Sequence, residues 1–439
     1  MLRMLQRATA SERLMRLLSP AMGALNPFLP EHRADPYATW NRLREEAPVF
    51  YSRVFGAHFA TRYDDCLQLL GGTTTSADRS NVALMKAVRW FNRKEPEFSS
   101  FLGRSLLSLE GDEHRALRGL VSKAFTPRRI AALRPRLESL ADELIEAAES
   151  SGEMELVHDF AYPFPVTAIA ELLGIPTEDR TRFHHWTSQL VQILDPLQGN
   201  EGADPMRRAT RELYAYFRPL LAARRSEPRD DLISAMLHAE EDGEQLQEND
   251  LLSAMIEAEE GGRRLDENDL LALCVLILAA GHETTANLIG NAVVTLLRYP
   301  EERKRLQEDP ALMPSAVNEF LRFESPIQLT DRAVVEDFEL GGRTFRKGEF
   351  IGIALAAANR DPRVFDAPDR LDLGREPNTH LAFGHGTHFC LGSQLAKLEA
   401  EIALGALLRR FPDFSGPTDP PAWRRSMLLR GPEALPLRL

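Results

Sequence analysis

Cysteine is scarce in this chain of 439 residues, which contains only Cys66, Cys274 and Cys390. Three scattered cysteines do not provide the disulfide framework that stabilises small secreted domains. Their low number is consistent with a reducing compartment, and we expect the protein to be cytoplasmic. A single cysteine in such a chain is most often a small buried apolar residue, unless its surroundings favour the thiolate.

The sequence also lacks the features of a secreted or membrane-anchored protein. Leu270 to Ala280 is continuously apolar, but this run is shorter than the roughly 20 residues that a membrane helix needs. Near the N-terminus, Arg3, Arg7, Arg13 and Arg16 interrupt the apolar residues. We therefore expect neither a signal peptide nor a stable membrane anchor, and we assign residues 1–30 to a leader.

Positive charge is in deficit across the whole chain. Lysine and arginine total 53 against 65 aspartates and glutamates, which gives a formal net charge of −12. This balance argues against nucleic acid as a partner. Hydrophobic residues make up 44% of the chain, which suffices for a sizeable core.

What the chain does contain is a glycine-rich segment around one cysteine, Phe-Gly-His-Gly-Thr-His-Phe-Cys-Leu-Gly at residues 383–392. Gly384 and Gly386 permit backbone angles that other residues avoid, and Gly392 allows a flat ligand to approach closely. An apolar helix is predicted to follow, and a helix N-terminus stabilises a thiolate through its dipole and its free N–H groups. The segment indicates that Cys390 is held as a thiolate against a metal.

The spacing Phe383-x-x-Gly386-x-x-x-Cys390-x-Gly392 resembles the haem-binding loop of the cytochrome P450 superfamily. The resemblance implies that Cys390 is the axial ligand of haem b (iron protoporphyrin IX) and that the other three residues shape the loop. A thiolate ligand favours O–O cleavage at the iron. The resemblance also implies a mainly α fold with a small β-rich region, formed by one large domain over residues 31–439.

A second motif interrupts a long predicted helix from Asp266 to Pro300, which has acidic residues at its N-terminus. After the apolar run come Glu283 and Thr284, and a carboxylate in a buried helix costs stability unless it is satisfied or functional. A threonine hydroxyl can bond the carbonyl one turn back and open a small polar notch. These residues alone leave two interpretations open: a core network whose hydrogen bonds are satisfied, or a functional site.

Ala280-Gly281-His282-Glu283-Thr284 matches the superfamily's Ala-Gly-x-(Asp/Glu)-Thr segment, which lies over the haem. The resemblance implies that Thr284 hydrogen-bonds the dioxygen and that Glu283 helps relay the protons needed for its cleavage. It gives His282 a structural role, pointing away from the haem.

Glu319-Phe-Leu-Arg322 places an acid and a base three residues apart on one helix face, a pattern that many surface helices also show. In the superfamily these two residues join a third arginine in a buried network behind the haem loop. Pro368 to Leu371 matches the segment that carries it, which makes Arg370 the candidate. The resemblance implies a structural role for this network.

His114 and Arg118 are four residues apart on a predicted helix, so their side chains point the same way. A solvated basic face would show the same pattern. The resemblance implies that both residues bind the haem propionates together with Arg332 and His388. Four donors for two carboxylates is a sensible chemical match.

The sequence determines the substrate least. The positions at which the superfamily contacts substrate are mostly apolar here, and they predict an apolar small molecule. These positions are Leu106, Leu107, Ala279, Ala280, Ile327, Leu329, Met427 and Leu428.

The resemblance implies that two cationic segments border the cysteine side of the haem. A basic surface there would steer an acidic electron donor of the ferredoxin or flavodoxin type, with its own reductase, although a generic solvated face is also open. The cations are Arg115, Arg118, Lys123, Arg128, Arg129, Arg134, Arg136, Lys397, Arg409 and Arg410.

A tandem repeat departs from the superfamily pattern. Residues 231–249 and 250–268 are two copies of a 19-residue unit, and we expect an added short amphipathic helix on the surface, ending in a glycine-containing turn. Apart from this repeat, the sequence predicts a haem-thiolate monooxygenase that uses O2. A peroxide-driven peroxygenase and a haem-based binding or sensor protein are the alternatives, and Glu283 and Thr284 argue against both.

Overall fold

The computed structural model describes residues 25, 29–80, 82, 86, 90, 92–122, 125–149, 152–176, 179–191, 203–229, 231–241 and 266–439. Almost all of the predicted leader at residues 1–30 lies outside the described residues. So does most of the second repeat copy, together with the end of the first.

Helices dominate the described chain, as the sequence predicts. In chain order they are α1 (Pro30–Ala34), α2 (Tyr37–Glu46), α3 (Tyr63–Gly71), α4 (Pro96–Arg104), α5 (Gly111–Ser122), α6 (Pro127–Ala132), α7 (Arg134–Glu149), α8 (Pro163–Leu172), α9 (Arg180–Val191), α10 (Ala203–Ser226), α11 (Leu232–Glu241), α12 (Glu267–Arg298), α13 (Pro300–Glu308), α14 (Met313–Phe323), α15 (Leu355–Ala358) and α16 (Ser393–Arg410). A π-helical turn at Leu156–Ala161 and 3-10 turns at Pro310–Leu312 and Gly386–His388 complete the set.

The strands form three small sheets. They are β1 (Val49–Ser52), β2 (Ala57–Ala60), β3 (Thr75–Ser76), β4 (Glu153–Glu155), β5 (Thr330–Val334), β6 (Phe338–Leu340), β7 (Arg343–Phe345), β8 (Phe350–Ile353) and β9 (Pro436–Arg438). The main sheet has the order β1-β2-β8-β5-β3, and β4 pairs with β9 while β6 pairs with β7. Strands β1 and β2 form a hairpin around Gly56, with Val49 opposite Ala60, and Gly56 has a φ of +64°.

Helix α12 runs through the centre of the molecule. Asp266 caps it: the Asp266 side chain accepts from the N–H of Asp269 at 2.9 Å, and the Asp269 side chain accepts from the N–H of Asp266 at 3.1 Å. The helix ends at Arg298, directly before Tyr299 and a proline. Both boundaries lie within two residues of those predicted from the sequence.

The core is built around α12, which packs against α8, α9 and α16. By length and composition α12 could cross a membrane, but 83% of its most apolar window is buried inside the protein, as is typical of a central core helix. Its continuous apolar surface is thus explained by neighbours on all sides.

The first repeat copy forms α11, which is part of the core and does not lie on the surface. Leu232, Ile233, Met236 and Leu237 are at most 1% exposed, because α11 packs against α10 and α12. Because the first copy lies in the core, the added surface helix expected from the repeat would come from the second copy, and it stays a prediction. The second copy lies outside the described residues, except for the three residues that lead into α12.

Candidate active site

The cysteine loop is held by its backbone. Gly384 and Gly386 have φ values of +71° and +75°, and a Cβ on Gly386 would come within 3.0 Å of the Leu70 carbonyl oxygen. The Cys390 N–H donates to the Phe383 carbonyl at 2.9 Å, which closes the loop. Helix α16 then begins three residues after Cys390, as the sequence predicts for a helix that follows a metal-binding thiolate.

The surroundings of Cys390 both oppose and support a thiolate. Burial raises the pKa of the Cys390 thiol, while the Gly392 N–H and the Arg118 guanidinium lower it. Arg118 also donates through Nη2 to the Phe389 carbonyl at 2.6 Å, which fixes the guanidinium beside the loop. Since a bound metal cation favours the thiolate further, this environment suits a metal ligand.

The two histidines and two arginines predicted to hold carboxylates lie on three segments around the loop. His114 and Arg118 are on α5, Arg332 is on β5, and His388 is in the 3-10 turn before Cys390. The imidazoles of His114 and His388 are 4.3 Å apart between centroids. Arg332 is 7% exposed, and burial and then Arg79 lower the pKa of its guanidinium.

Glu110 is a further member of this group that the sequence analysis missed. His388 Nε2 lies 3.4 Å from Glu110 Oε2. Burial opposes the ionised carboxylate, but hydrogen bonds involving His388, Ser76 and the Ala77 N–H hold the pKa of Glu110 at about 2. Glu110 directly precedes α5, and its position gave no sequence signal.

Several observations fit haem b to this region. His114 is 2% exposed, and its Nε2 atom has no hydrogen-bond partner among the described residues. A Cβ on Gly392 would meet nothing within 4 Å, so space is open beside the cysteine. Ala280 is exposed although the ten residues before it on α12, Leu270 to Ala279, are buried. A cationic group, a thiol and open space together match two propionates, an iron and a flat ring.

The threonine hydrogen bond predicted in α12 is present, and the helix stays continuous from Glu267 to Arg298. Thr284 Oγ1 donates to the Ala280 carbonyl at 2.9 Å, and Thr285 Oγ1 donates to the Gly281 carbonyl at 3.1 Å. Both hydroxyls compete with the helical ladder in consecutive positions. His282 faces into the protein instead, where its Nε2 lies 3.0 Å from Thr187 Oγ1.

Glu283 is buried at 3% exposure, where Arg424 and Tyr162 both contact it. Arg424 Nη1 donates to Glu283 Oε1 at 2.7 Å, and the Tyr162 hydroxyl donates to the same oxygen at 3.1 Å. Burial raises the pKa of the Glu283 carboxyl, while Arg424 and Tyr162 oppose that rise. Neither partner could be found from the sequence, because both come from distant segments.

A second buried acid, Glu399 on α16, lies near the same turn of α12. It is 1% exposed, and neither carboxyl oxygen has a hydrogen-bond partner in the described part of the chain. Burial raises the pKa of Glu399 well above its usual range, and only the Thr285 hydroxyl opposes the rise. Burial therefore favours the protonated form of Glu399 in the folded protein.

The buried ion-pair network around Glu319 differs from the prediction in one member. Arg322 Nη2 and Nε donate to the two Glu319 oxygens at 2.7 and 2.8 Å, as expected. The third guanidinium belongs to Arg375, whose Nε lies 3.1 Å from Glu319 Oε2. Arg370 was the wrong candidate: a turn closed by its N–H exposes its side chain, and only its carbonyl accepts from Arg322 and Arg375.

The eight positions predicted to contact substrate differ in exposure. Leu106, Ala279, Leu329 and Met427 are buried, while Ile327 and Leu428 are half-buried. Ala280 and Leu107 are exposed, Leu107 at 43%. Exposure of Ala280 in the middle of a core helix marks it as a wall of interior space.

The cations predicted to form a basic surface are mostly paired with carboxylates. Each of five makes an ion pair: Arg115 with Asp112, Arg134 with Glu138, Arg136 with Glu171, Arg409 with Asp142 and Arg410 with Glu149. Lys123 lies outside the described residues. The surface around these pairs therefore carries less net positive charge than the sequence alone suggests.

Comparisons with known proteins agree with this geometry. The family model described as Cytochrome P450 matches residues 54–434. Cytochrome P450 107B1 of Saccharopolyspora erythraea is 40% identical over 95% of this chain and 98% of that protein. The 6-deoxyerythronolide B hydroxylase of the same organism is 36% identical over 92% of this chain and 96% of that protein.

The fold matches in the same way. The structure of the bacillaene polyketide synthase cytochrome P450 PksS from Bacillus subtilis 168 superposes with a TM-score of 0.81 at 36% identity, covering 94% of this chain and 99% of that one. These matches bear out the mainly helical fold, the enzyme class and haem b as the cofactor. The chain belongs to the cytochrome P450 family of haem-dependent monooxygenases.

Proposed function

We propose that this protein activates O2 with electrons from separate redox proteins, and inserts one oxygen atom into a C–H bond of an apolar small molecule. The observation that carries this proposal is a buried acid, Glu283, beside two threonine hydroxyls in the middle of the core helix α12. A non-catalytic haem protein needs no such buried acid, and a peroxygenase, whose oxidant arrives reduced and protonated, takes up no net protons in its reaction. We place the reaction in the cytoplasm, in one domain over residues 31–439.

The residues of the loop and its surroundings are suited to hold haem b. Cys390 is the axial ligand in this proposal, within the loop shaped by Phe383, Gly386 and Gly392. His114, Arg118, Arg332 and His388 bind the two propionates in this proposal. The buried Nε2 atom of His114 has no hydrogen-bond partner among the described residues, and the two guanidiniums attract an anionic ligand. When bound, haem b supplies an iron whose thiolate ligand favours O–O cleavage.

Helix α12 carries the residues that supply protons for the reduction of dioxygen in this proposal. Thr284 presents a hydroxyl on α12, and its Oγ1 donates to the Ala280 carbonyl at 2.9 Å. Glu283 supplies an acidic proton within the same turn, where burial favours its protonated form. We infer that Thr284 positions the dioxygen and that Glu283 provides the protons for its reduction.

The substrate proposed is apolar, because the positions that face the interior space carry aliphatic side chains and few charges. Ala280, Leu107 and Leu428 are the candidates with exposed surface for contact. The names of the relatives connect those proteins with 6-deoxyerythronolide B and with polyketide synthesis. Macrolactones are therefore the first compounds to test, with steroids and fatty acids beside them.

The electron donor is proposed to be an acidic ferredoxin or flavodoxin with its reductase. It would bind on the cysteine side, where α16 and the loop bring the haem ligand nearest to the surface. Because most arginines there are ion-paired, steering by charge should be modest. Raising the ionic strength should slow reduction by a surrogate donor only a few-fold, whereas a strongly charged interface would lose far more.

The test of this function is product formation under two oxidant supplies. The protein is incubated with a compound that shifts the haem absorbance, first with NADH and a surrogate donor chain, then with hydrogen peroxide alone. A monooxygenase gives hydroxylated product mainly in the first case. Product from peroxide alone would identify a peroxygenase, and binding without product in either case would identify a sensor.

Thr284→Ala tests the proton step within the same assay. The variant should bind haem and substrate normally but release more hydrogen peroxide per NADH, because dioxygen is held less firmly. Thr284→Ser keeps the hydroxyl and serves as the matched control. Equal peroxide release from all three proteins would remove Thr284 from the mechanism.

A further inference from the structure

The segment from residue 422 to residue 433 folds back on itself and docks on α12. The N–H of Arg424 donates to the Gly431 carbonyl at 3.0 Å, which pairs the two arms of this hairpin. A Cβ on Gly431 would lie 2.0 Å from Asn287 Oδ1, so only glycine permits this approach. Asn291 Nδ2 donates to the Arg430 carbonyl at 2.9 Å.

The docking points follow one face of the helix. Glu283, Asn287 and Asn291 are spaced four residues apart, and residues at this spacing share a face of an α-helix. The hairpin contacts the second and third of these through its backbone. Its arm therefore delivers the side chain of Arg424 to the first, the carboxylate of Glu283.

The contact uses only one carboxyl oxygen. Arg424 Nη1 and the Tyr162 hydroxyl both donate to Glu283 Oε1, at 2.7 and 3.1 Å. The guanidinium carbon of Arg424 lies 5.3 Å from the centroid of the Tyr162 ring, so the three groups form one cluster. Oε2 is buried, and no residue in the described ranges hydrogen-bonds it. A proton carried by this acid belongs on Oε2.

Two opposing effects act on the pKa of Glu283 in this cluster. Burial raises the pKa of the carboxyl, and Arg424 followed by Tyr162 works against that rise. The adjacent His282 is engaged elsewhere, by the Leu278 carbonyl and by Thr187. Without a cation, burial alone would hold the acid protonated, and an acid that never loses its proton relays none.

The geometry points to Arg424 as a positioning residue that clamps Glu283 by Oε1 and leaves Oε2 to release and regain the proton used in dioxygen reduction. This inference rests on the proposed role of Glu283 in proton supply. In each cycle the Oε2–H bond breaks and the proton leaves toward the dioxygen. The carboxylate stays paired with Arg424 until it takes a proton from solvent, so the acid is unchanged over a turnover.

The direct test is infrared titration of the holoenzyme, which detects the C=O stretch of a protonated carboxylic acid. The Glu283 band is identified by its loss in Glu283→Gln. In Arg424→Gln we expect this band to persist to higher pH than in the wild type, because the cation that favours the carboxylate is gone. Arg424→Lys keeps the charge and should return the titration toward that of the wild type.

Arg425→Gln is the matched control, since it removes the same charge from the exposed neighbouring residue. It should leave the Glu283 band unchanged. If Arg424→Gln fails to fold, Tyr162→Phe removes the other donor to Oε1 at almost constant volume, and should move the band in the same direction by less. A Glu283 band that titrates identically in wild type, Arg424→Gln and Tyr162→Phe overturns the inference.

A second measurement separates this inference from the function on which it rests. Hydrogen peroxide released per NADH is measured with 6-deoxyerythronolide B as the test compound. Arg424→Gln should raise the ratio by about tenfold, less than the full effect of losing a general acid, because it acts through Glu283. Added to Glu283→Gln, it should change nothing further. If Glu283→Gln matches the wild type while the infrared shift is present, the relay role fails and the clamp stands.

Discussion

The imidazole rings of His114 and His388 lie with centroids 4.3 Å apart and planes tilted by 40°, although 274 positions separate them in the chain. Burial, followed by His388 and Arg118, lowers the pKa of His114 to about 4, so the ring is neutral at pH 7. A neutral imidazole beside an arginine donates one hydrogen bond to an anion without adding a second buried charge.

His114→Phe should therefore weaken haem retention while keeping the ring volume. Loss of one hydrogen bond to a carboxylate costs about 1.5–3 kcal/mol, so haem should dissociate at least about tenfold faster. The rate is measured by transfer to an excess of an apo-protein acceptor. Arg115→Gln, one residue away but exposed and paired with Asp112, should release haem at the wild-type rate. Equal rates for both variants would place His114 outside the propionate group.

Arg375→Ala should destabilise the fold far more than Arg370→Ala. Glu319 is fully buried, and removing one of its two arginines leaves part of its charge uncompensated. We expect Arg375→Ala to lower the free energy of unfolding by about 3 kcal/mol. This is the lower end of the range for breaking a buried ion pair, because Arg322 still pairs with Glu319. Arg370→Ala removes an exposed side chain and should change stability by less than about 0.5 kcal/mol. Denaturant unfolding of both variants measures the two stability losses. Equal losses would contradict the assignment of Arg375 as the second arginine that pairs with Glu319.

The contrast between Arg370 and Arg375 shows where prediction from sequence ends. The cysteine loop and the bounds of α12 were both predictable, because local spacing, turn residues and capping residues set them. Arg375 was not, since a turn decides which of two nearby arginines faces Glu319. The Arg424 contact spans 141 positions and depends on tertiary docking of a hairpin, for which the sequence has no local pattern.

Glu399→Gln should stabilise the protein at alkaline pH. Because burial raises the pKa of Glu399 in the folded state, the folded protein keeps a proton that the unfolded chain loses above about pH 4.3. The native state then binds more protons, so stability falls as the pH rises from that value toward the folded pKa. A glutamine does not titrate. The free energy of unfolding of Glu399→Gln should therefore rise progressively relative to that of the wild type between pH 5 and pH 8.

The measurement is the denaturant concentration at the unfolding midpoint across this pH range. It shows whether the variant gains or loses stability relative to the wild type as the pH rises. Glu401→Gln is the control on the same helix, where the carboxylate pairs with Arg134 at 3.4 Å and is partly exposed. It should show no such progressive gain. A Glu399→Gln variant that loses stability relative to the wild type as the pH rises would show that Glu399 is ionised and satisfied.

Deleting one repeat copy should leave a folded haem protein, but the two deletions differ at the start of α12. Removal of 250–268 also removes Asp266, the N-cap of α12, and places Gln247 in its position. Removal of 231–249 keeps Asp266 and replaces the buried residues of α11 with similar ones from the second copy. Loss of a cap costs about 1 kcal/mol, so the second deletion should be the more stable. The thermal unfolding midpoints of the two deletion variants are compared. If both variants were free of haem, each copy of the repeat would be essential.

The central claim is that Cys390 is a thiolate ligand to haem, and the absorbance of the reduced protein under carbon monoxide tests it most directly. The wild type should show the red-shifted Soret band of a thiolate-ligated haem, because the thiolate donates electron density to the iron. Cys390→Ser and Cys390→His should both lack that band. A wild-type spectrum that matches a histidine-ligated haem, or a Cys390→Ser variant that keeps the red-shifted band, would contradict the assignment.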